Sequence, residues 1–174
     1  GWKLTHFEGG LHVPFMAKWP NKIKPGIEFN APIHANDILP TFAAAAGAEL
    51  PDDRIIDGVN LLPFLLNHNS DVPHKTLYWL QGRLQSVLHN NWKLITDQRT
   101  GKDWLFNIES DPYERINLAS EMTLKLEELK RLLSDHKKVQ PPPLYDNTMS
   151  APILIDKHNG YAYQDGDEFT YWDN

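Results

Sequence analysis

The side chains in these 174 residues that could do chemistry are Lys3, a scatter of carboxylates and several histidines. A lysine is a compact point cation suited to an anionic group, although most lysines simply face water. The carboxylates gather at Asp52-Asp53, at Asp111 and Glu114 with the amide Asn117 close behind, and at Asp165-Gly166-Asp167-Glu168. A hard cation takes about six or more oxygens, more than an adjacent acidic pair supplies, and the last stretch lacks the calcium-loop spacing. Asp52-Asp53 and residues 165–168 read as solvated turns. Asp111, Glu114 and Asn117 read as a turn between strand and helix whose side chains satisfy backbone groups. His6, His34 and His74 have no His-Glu-X-X-His or comparable ligand spacing and read as surface or loop residues. Cysteine is absent, which excludes disulfides, thiolate ligands and cysteine nucleophiles within this segment and leaves the redox compartment undecided.

These residues need a scaffold, and the chain is long enough to build one. At this length folding buries roughly 70% of the surface that the unfolded chain exposes, enough for a hydrophobic core. Seventeen basic against 23 acidic residues give a formal charge of -6, with no basic stripe for a nucleic-acid partner. No apolar run approaches the ~20 residues that span a bilayer, so no membrane partner is expected. Gly1 opens directly into a patterned segment without a leader-like region, as a chain beginning inside a longer protein would.

Glu8-Gly9-Gly10 reads as a loop feeding an apolar strand from Val13 to Trp19, closed by Pro20. A helix follows with Asn36 or Asp37 as cap, Pro40 in its first turn, Phe42 to Ala46 in its body and Gly47 as its stop. Residues 48–75 read as a long connection around the apolar run Val59 to Leu66. The pattern then changes to short strands, Thr76 to Leu80, Leu84 to His89, Trp92 to Thr96 and Trp104 to Ile108, an antiparallel meander whose Trp79, Trp92 and Trp104 read as core. Met122, Leu126, Leu129 and Leu133 recur at helical spacing, with Ser120 placed to cap, Glu121 four residues before Lys125, and His136, Lys137 and Lys138 at the end. The leucine stripe is expected on the meander, an α+β layer of one sheet and one helix. After Pro141-Pro142-Pro143 come two further strand-like runs, Ile153 to Ile155 and Phe169 to Trp172.

The opening, Gly1-Trp2-Lys3-Leu4-Thr5-His6-Phe7-Glu8-Gly9-Gly10-Leu11-His12-Val13-Pro14, resembles the Gly-X-Lys, Glu-Gly-Gly, Val-Pro signature of sulfatases. Further segments are similar in the family's order: Trp19-Pro20, Asp37-Ile38-Leu39-Pro40-Thr41, Ala46-Gly47, Asp57-Gly58, Trp92-Lys93-Leu94 and Asp111-Pro112-Tyr113-Glu114-Arg115-Ile116-Asn117-Leu118-Ala119. The resemblance covers roughly residues 1–135. It implies the C-terminal sulfatase subdomain, a four-stranded antiparallel sheet packed on a helix, preceded by a remnant of an alkaline-phosphatase-like α/β domain. Residues 1–66 would then end the catalytic domain, 67–140 form the small domain and 141–174 an extended tail.

The resemblance also implies chemistry. The family hydrolyses sulfate esters with a formylglycine nucleophile, made within a Cys/Ser-X-Pro-X-Arg motif, and a divalent cation, usually calcium. Of that apparatus only Lys3 matches by position, as the lysine that binds the sulfate group. Ser150-Ala151-Pro152 continues into Ile153-Leu154 and fails the nucleophile pattern, and no metal ligand is assigned in this chain, so both are expected upstream and the chain alone is expected to be inactive. Glu8 is expected to accept backbone donors, with Gly9 and Gly10 allowing close chain approach. His12 stands where many relatives carry Arg, so no role is assigned to it. The implied substrate of the intact enzyme is a sulfated small molecule or glycan, and its implied compartment the periplasm or exterior. Phosphate or phosphonate ester hydrolysis and a non-catalytic glycan- or protein-binding module stay open. A strand over 13–19 and an apolar helix left without their sheet would favour a homodimer.

Overall fold

The computed structural model describes residues 1–66, 71–158 and 160–173. The chain forms two compact units, Gly1–Pro14 with Thr76–Asn174, and Phe15–Lys75. Residues 67–70, where the small domain was expected to begin and through which the connection runs, lie outside the described residues.

In the first unit, strands β1 (Thr76–Gln81), β2 (Leu84–His89), β3 (Trp92–Asp97) and β4 (Lys102–Asn107) form the antiparallel meander in sequence order. The turns set the register. Asn90 and Asn91 take φ of 46° and 66°, the twist that a two-residue hairpin requires, and pair His89 with Trp92. Gly101, at φ 70°, closes the next turn and pairs Asp97 with Lys102, so β4 starts two residues before the expected Trp104.

Alternation sends side chains to two faces, and both are covered. Val87, Leu94 and Leu105 pack against Leu129 and Leu133 of the long helix Thr123–Val139, the expected leucine stripe. Leu84, Ile95, Trp104 and Phe106 pack on the other face with Phe7 and Ile155. A single layer of sheet and helix is therefore incomplete as a description. The second face is closed by the amino-terminal segment and by the region of a hairpin, β5 (Ser150–Leu154) with β6 (Phe169–Asp173), which join the two late strand-like runs. Asp97, 1% exposed, accepts from Thr170 Oγ1 at 3.2 Å and from the Tyr171 amide at 3.4 Å, tying that hairpin to β3.

Several local expectations are corrected. Glu8–Leu11 is one helical turn, α1, rather than a loop. Val13 to Trp19 forms no strand, because a strand exists only by exchanging backbone hydrogen bonds and no described segment pairs with this one. The Thr123–Val139 helix has no side-chain cap from Ser120, since the Glu121 and Met122 amides already donate to Leu118 O in a preceding turn. Lys125 pairs with Glu128 instead of Glu121.

In the second unit a 3-10 turn, Ala35–Asp37, leads into α2 (Ile38–Ala46). The expected cap moves upstream: His34 Nδ1 accepts the Asn36 amide while Asp37 Oδ2 accepts the His34 amide, a reciprocal box that leaves Asp37 buried. Gly47, at φ 67°, ends α2 as its position predicts. Within the expected connection Leu62–Leu65 makes one turn, α3. An apolar groove of 330 Å³ runs between Phe15, Trp19, Phe42, Leu62 and Leu65.

Candidate functional site

Lys3 is exposed, on a segment that is otherwise pinned down. Its neighbour Leu4 takes φ 76°, a left-handed conformation that a branched side chain adopts only when its surroundings hold it there. Thr5 supplies part of that hold, its amide and hydroxyl donating to Trp2 O at 3.1 and 2.6 Å. Trp2 Nε1 donates to Leu154 O at 2.7 Å, and the Trp2 ring stacks on His158. Phe7, 2% exposed, is driven into the core with its ring edge-on to Trp104.

The glycines act as anticipated. A Cβ on Gly9 would lie 2.1 Å from Gly1 O, and one on Gly10 2.1 Å from Thr5 O, so only glycine lets α1 fold against the chain that carries Lys3. Glu8 departs from expectation: its carboxylate pairs with side chains rather than backbone donors. Lys93 Nζ lies 2.6 Å from Glu8 Oε1 and 2.8 Å from Glu114 Oε1, the second contact an ion pair without hydrogen-bond geometry. His12 Nδ1 approaches Glu8 Oε2 at 3.0 Å from solvent. Glu114 Oε2 also accepts the Glu8 amide at 2.7 Å. The Lys93 side chain is 1% exposed and that of Glu114 2%.

This cluster unites three sequence segments that looked independent, and sequence reasoning missed Lys93 altogether. Its only signal was that Glu8, Lys93 and Glu114 each sit in one of the ordered motifs. The Asp111 turn is otherwise as read. Asp111 Oδ2 accepts the Arg115 and Ile116 amides at 2.8 and 2.9 Å, and Asn117 Oδ1 accepts those of Leu105 and Ala119 at 2.9 and 3.0 Å.

The three histidines lie in loop segments, as read, but His6 is buried and His34 and His74 are half-buried. His6 is 4% exposed with Nδ1 3.0 Å from Ser86 Oγ. Burial first, and the nearby Lys93 charge second, lower it to about 4, so it is neutral at pH 7. Within the other unit His74 Nε2 reaches the fully buried Asp37 carboxylate at 2.8 Å, beside the Val59 amide, which donates to Asp37 Oδ1 at 2.8 Å. Asp53 is exposed and paired with Arg54, Asp167 is paired with Lys157, and Glu168 with Lys102. Among the described residues no group of three or more His, Asp or Glu side chains is arranged to hold a metal ion.

Comparison with known proteins bears on this geometry. Residues 2–139 match the family model described as N-sulphoglucosamine sulphohydrolase, C-terminal. The chain is 38% identical over 113 residues to a steryl-sulfatase of Rattus norvegicus, covering 64% of this chain and 19% of that protein. It is 30% identical over 198 residues to an ulvan-active sulfatase of Formosa agariphila, covering 90% of this chain and 39% of that protein. The crystal structure of Ps i-CgsB superposes with a TM-score of 0.57 at 27% identity, covering 68% of this chain and 27% of that one. That protein has also been solved in complex with k-i-k-neocarrahexaose. The chain thus spans well under half the length of each.

Proposed function

This chain belongs to the N-sulphoglucosamine sulphohydrolase C-terminal family, and from that premise we propose that it is the C-terminal portion of a sulfuric ester hydrolase to which it contributes one substrate-binding cation, Lys3. The observation that carries the reading is an exposed ammonium on a segment fixed by Phe7, the two close-packed glycines and the Glu8 ion pair. A sulfate ester is anionic and attack at sulfur builds further charge, so a positioned cation stabilises the reacting group more than a mobile one. Lys3 binds and orients the sulfate oxygens in this account. The formylglycine nucleophile and the divalent cation belong to residues outside this chain; they supply the attacking group and neutralise sulfate charge when present.

The substrate class that fits best is a sulfated glycan. The ulvan-active relative aligns with 90% of this chain, which must include part of residues 141–174, and Ps i-CgsB has been solved in complex with k-i-k-neocarrahexaose. Export to the periplasm or exterior, where such polymers occur, accompanies this reading.

The test is sulfate release from aryl sulfates and sulfated polysaccharide fragments by the full-length protein carrying this chain, with phosphate and phosphonate esters assayed beside them. Sulfate release is expected, falling roughly 100-fold or more in Lys3→Ala, as when a preorganised charge-stabilising donor is lost. The 174-residue chain alone is expected to release none. Preference for phosphonate esters, or full activity in Lys3→Ala, would overturn the reading.

A further inference from the structure

We propose that Lys93 is a positioning residue for Lys3, acting through Glu8 and Glu114 as a buried clamp on the substrate-binding segment; this rests on the sulfate-binding reading of Lys3. Lys93 lies on β3, whose backbone is paired on both sides, so the origin of its side chain is fixed. From there Nζ reaches the carboxylate of Glu8, the first residue of α1, while Glu114 holds the amide of the same residue. Main chain and side chain of Glu8 are thus gripped by one ion cluster. The grip passes to Lys3 through short steps: α1 packs against Gly1 O and Thr5 O at Gly9 and Gly10, and Thr5 is bonded to Trp2 O.

The charges suit positioning better than stability. Two carboxylates share one ammonium, and replacing a buried ion cluster with apolar groups of the same volume is often neutral or stabilising. What apolar groups would lose is direction, since an ion pair with fixed donors has a preferred geometry that a hydrophobic contact lacks. Removing Lys93 alone leaves Glu8 and Glu114 facing each other with only the exposed His12 beside Glu8, and their repulsion displaces the more exposed partner, Glu8, together with α1. Leu4, at φ 76°, is free to relax once α1 shifts, and Lys3 moves with it.

The experiment is a double-mutant cycle on the full-length protein carrying this chain, reading kcat and KM for an aryl sulfate with thermal unfolding measured alongside. Lys93→Met is expected to lower kcat/KM by roughly 10- to 100-fold, the scale of an ångström-sized misplacement. In the Lys3→Ala background the same change is expected to cost less than about twofold, because two residues acting through one contact are not additive. A purely structural Lys93 would instead cost as much in either background, and that result, or no loss at all in Lys93→Met, overturns the proposal. Should Lys93→Met fail to fold, Glu8→Gln keeps the shape without the charge and enters the same cycle. If the wild-type protein releases no sulfate, the sulfatase reading fails and the clamp is judged separately in the 174-residue chain. There, faster amide exchange at Glu8 and Gly10 in Glu8→Gln, with β2 and β3 unchanged, upholds the clamp, and unchanged exchange refutes it.

Discussion

The two compact units are ordered by different means. Gly1–Pro14 with Thr76–Asn174 closes two apolar clusters around a sheet, one on each face, and buries the Lys93–Glu114 ion pair. Phe15–Lys75 leaves Met16 90%, Phe42 64% and Leu39 56% exposed, and its local order centres on Asp37, which gathers the His34 and Val59 amides and the His74 ring. Gly58 belongs to the same arrangement, since a Cβ there would lie 2.0 Å from Asn36 O. Apolar burial makes a unit resistant as a whole, whereas a polar hub fixes local geometry and fails locally when one member is lost.

That contrast can be broken at its strongest point first. Phe7→Ala empties a fully packed aromatic site and is expected to cost about 3–5 kcal/mol in chemical denaturation, the range for buried phenylalanines. The loss should appear across the whole sheet. Asp37→Ala strips the acceptor from two amides and an imidazole and is expected to cost about 3–4 kcal/mol, from typical penalties for unsatisfied buried donors. Hydrogen exchange should place that loss at His34 and Val59, with the β2 and β3 amides unaffected; a global loss would show that the hub does more than local work.

His6 titrates at about 4 in the folded chain against its ordinary 6.5, so the unfolded chain binds the extra proton first as pH falls. The contribution of His6 to stability is then constant above pH 6.5, declines between 6.5 and 4, and changes no further below 4. The total is about 3 kcal/mol at 1.36 kcal/mol per pH unit. His6→Gln should flatten that part of the curve, as urea midpoints across the range would show. An unchanged slope would move the titration to another group.

The meander was legible in the sequence because its signals are local. Alternating apolar residues, Asn90-Asn91 and Gly101 specify strand, turn and register within a few positions, and the structure shifts the ends by at most two residues. The leucine stripe of the Thr123–Val139 helix was legible for the same reason. What could not be read depends on distant partners. Val13 to Trp19 has a strand's composition, yet only another segment could make it one. The burial of His6 in its loop could not be read, because Ser86, which it meets, is 80 positions away. Lys93 was hidden in a strand pattern, and its two carboxylates lie 85 and 21 positions off. Lys3 stood out only through its motif, since an exposed lysine carries no other mark.

The residues beyond the family match also have a bearing on how the protein can be dissected. Two indole nitrogens near the amino-terminal segment and in β4, Trp2 and Trp104, donate to Leu154 O and Glu168, and Ile155 fills the cluster that holds Phe7. A version trimmed at Val139 would strand both donors and open a void beneath Lys3's segment. The packing of this subdomain therefore extends beyond the family match, and expression trials cut to the family boundary should give poorly soluble material.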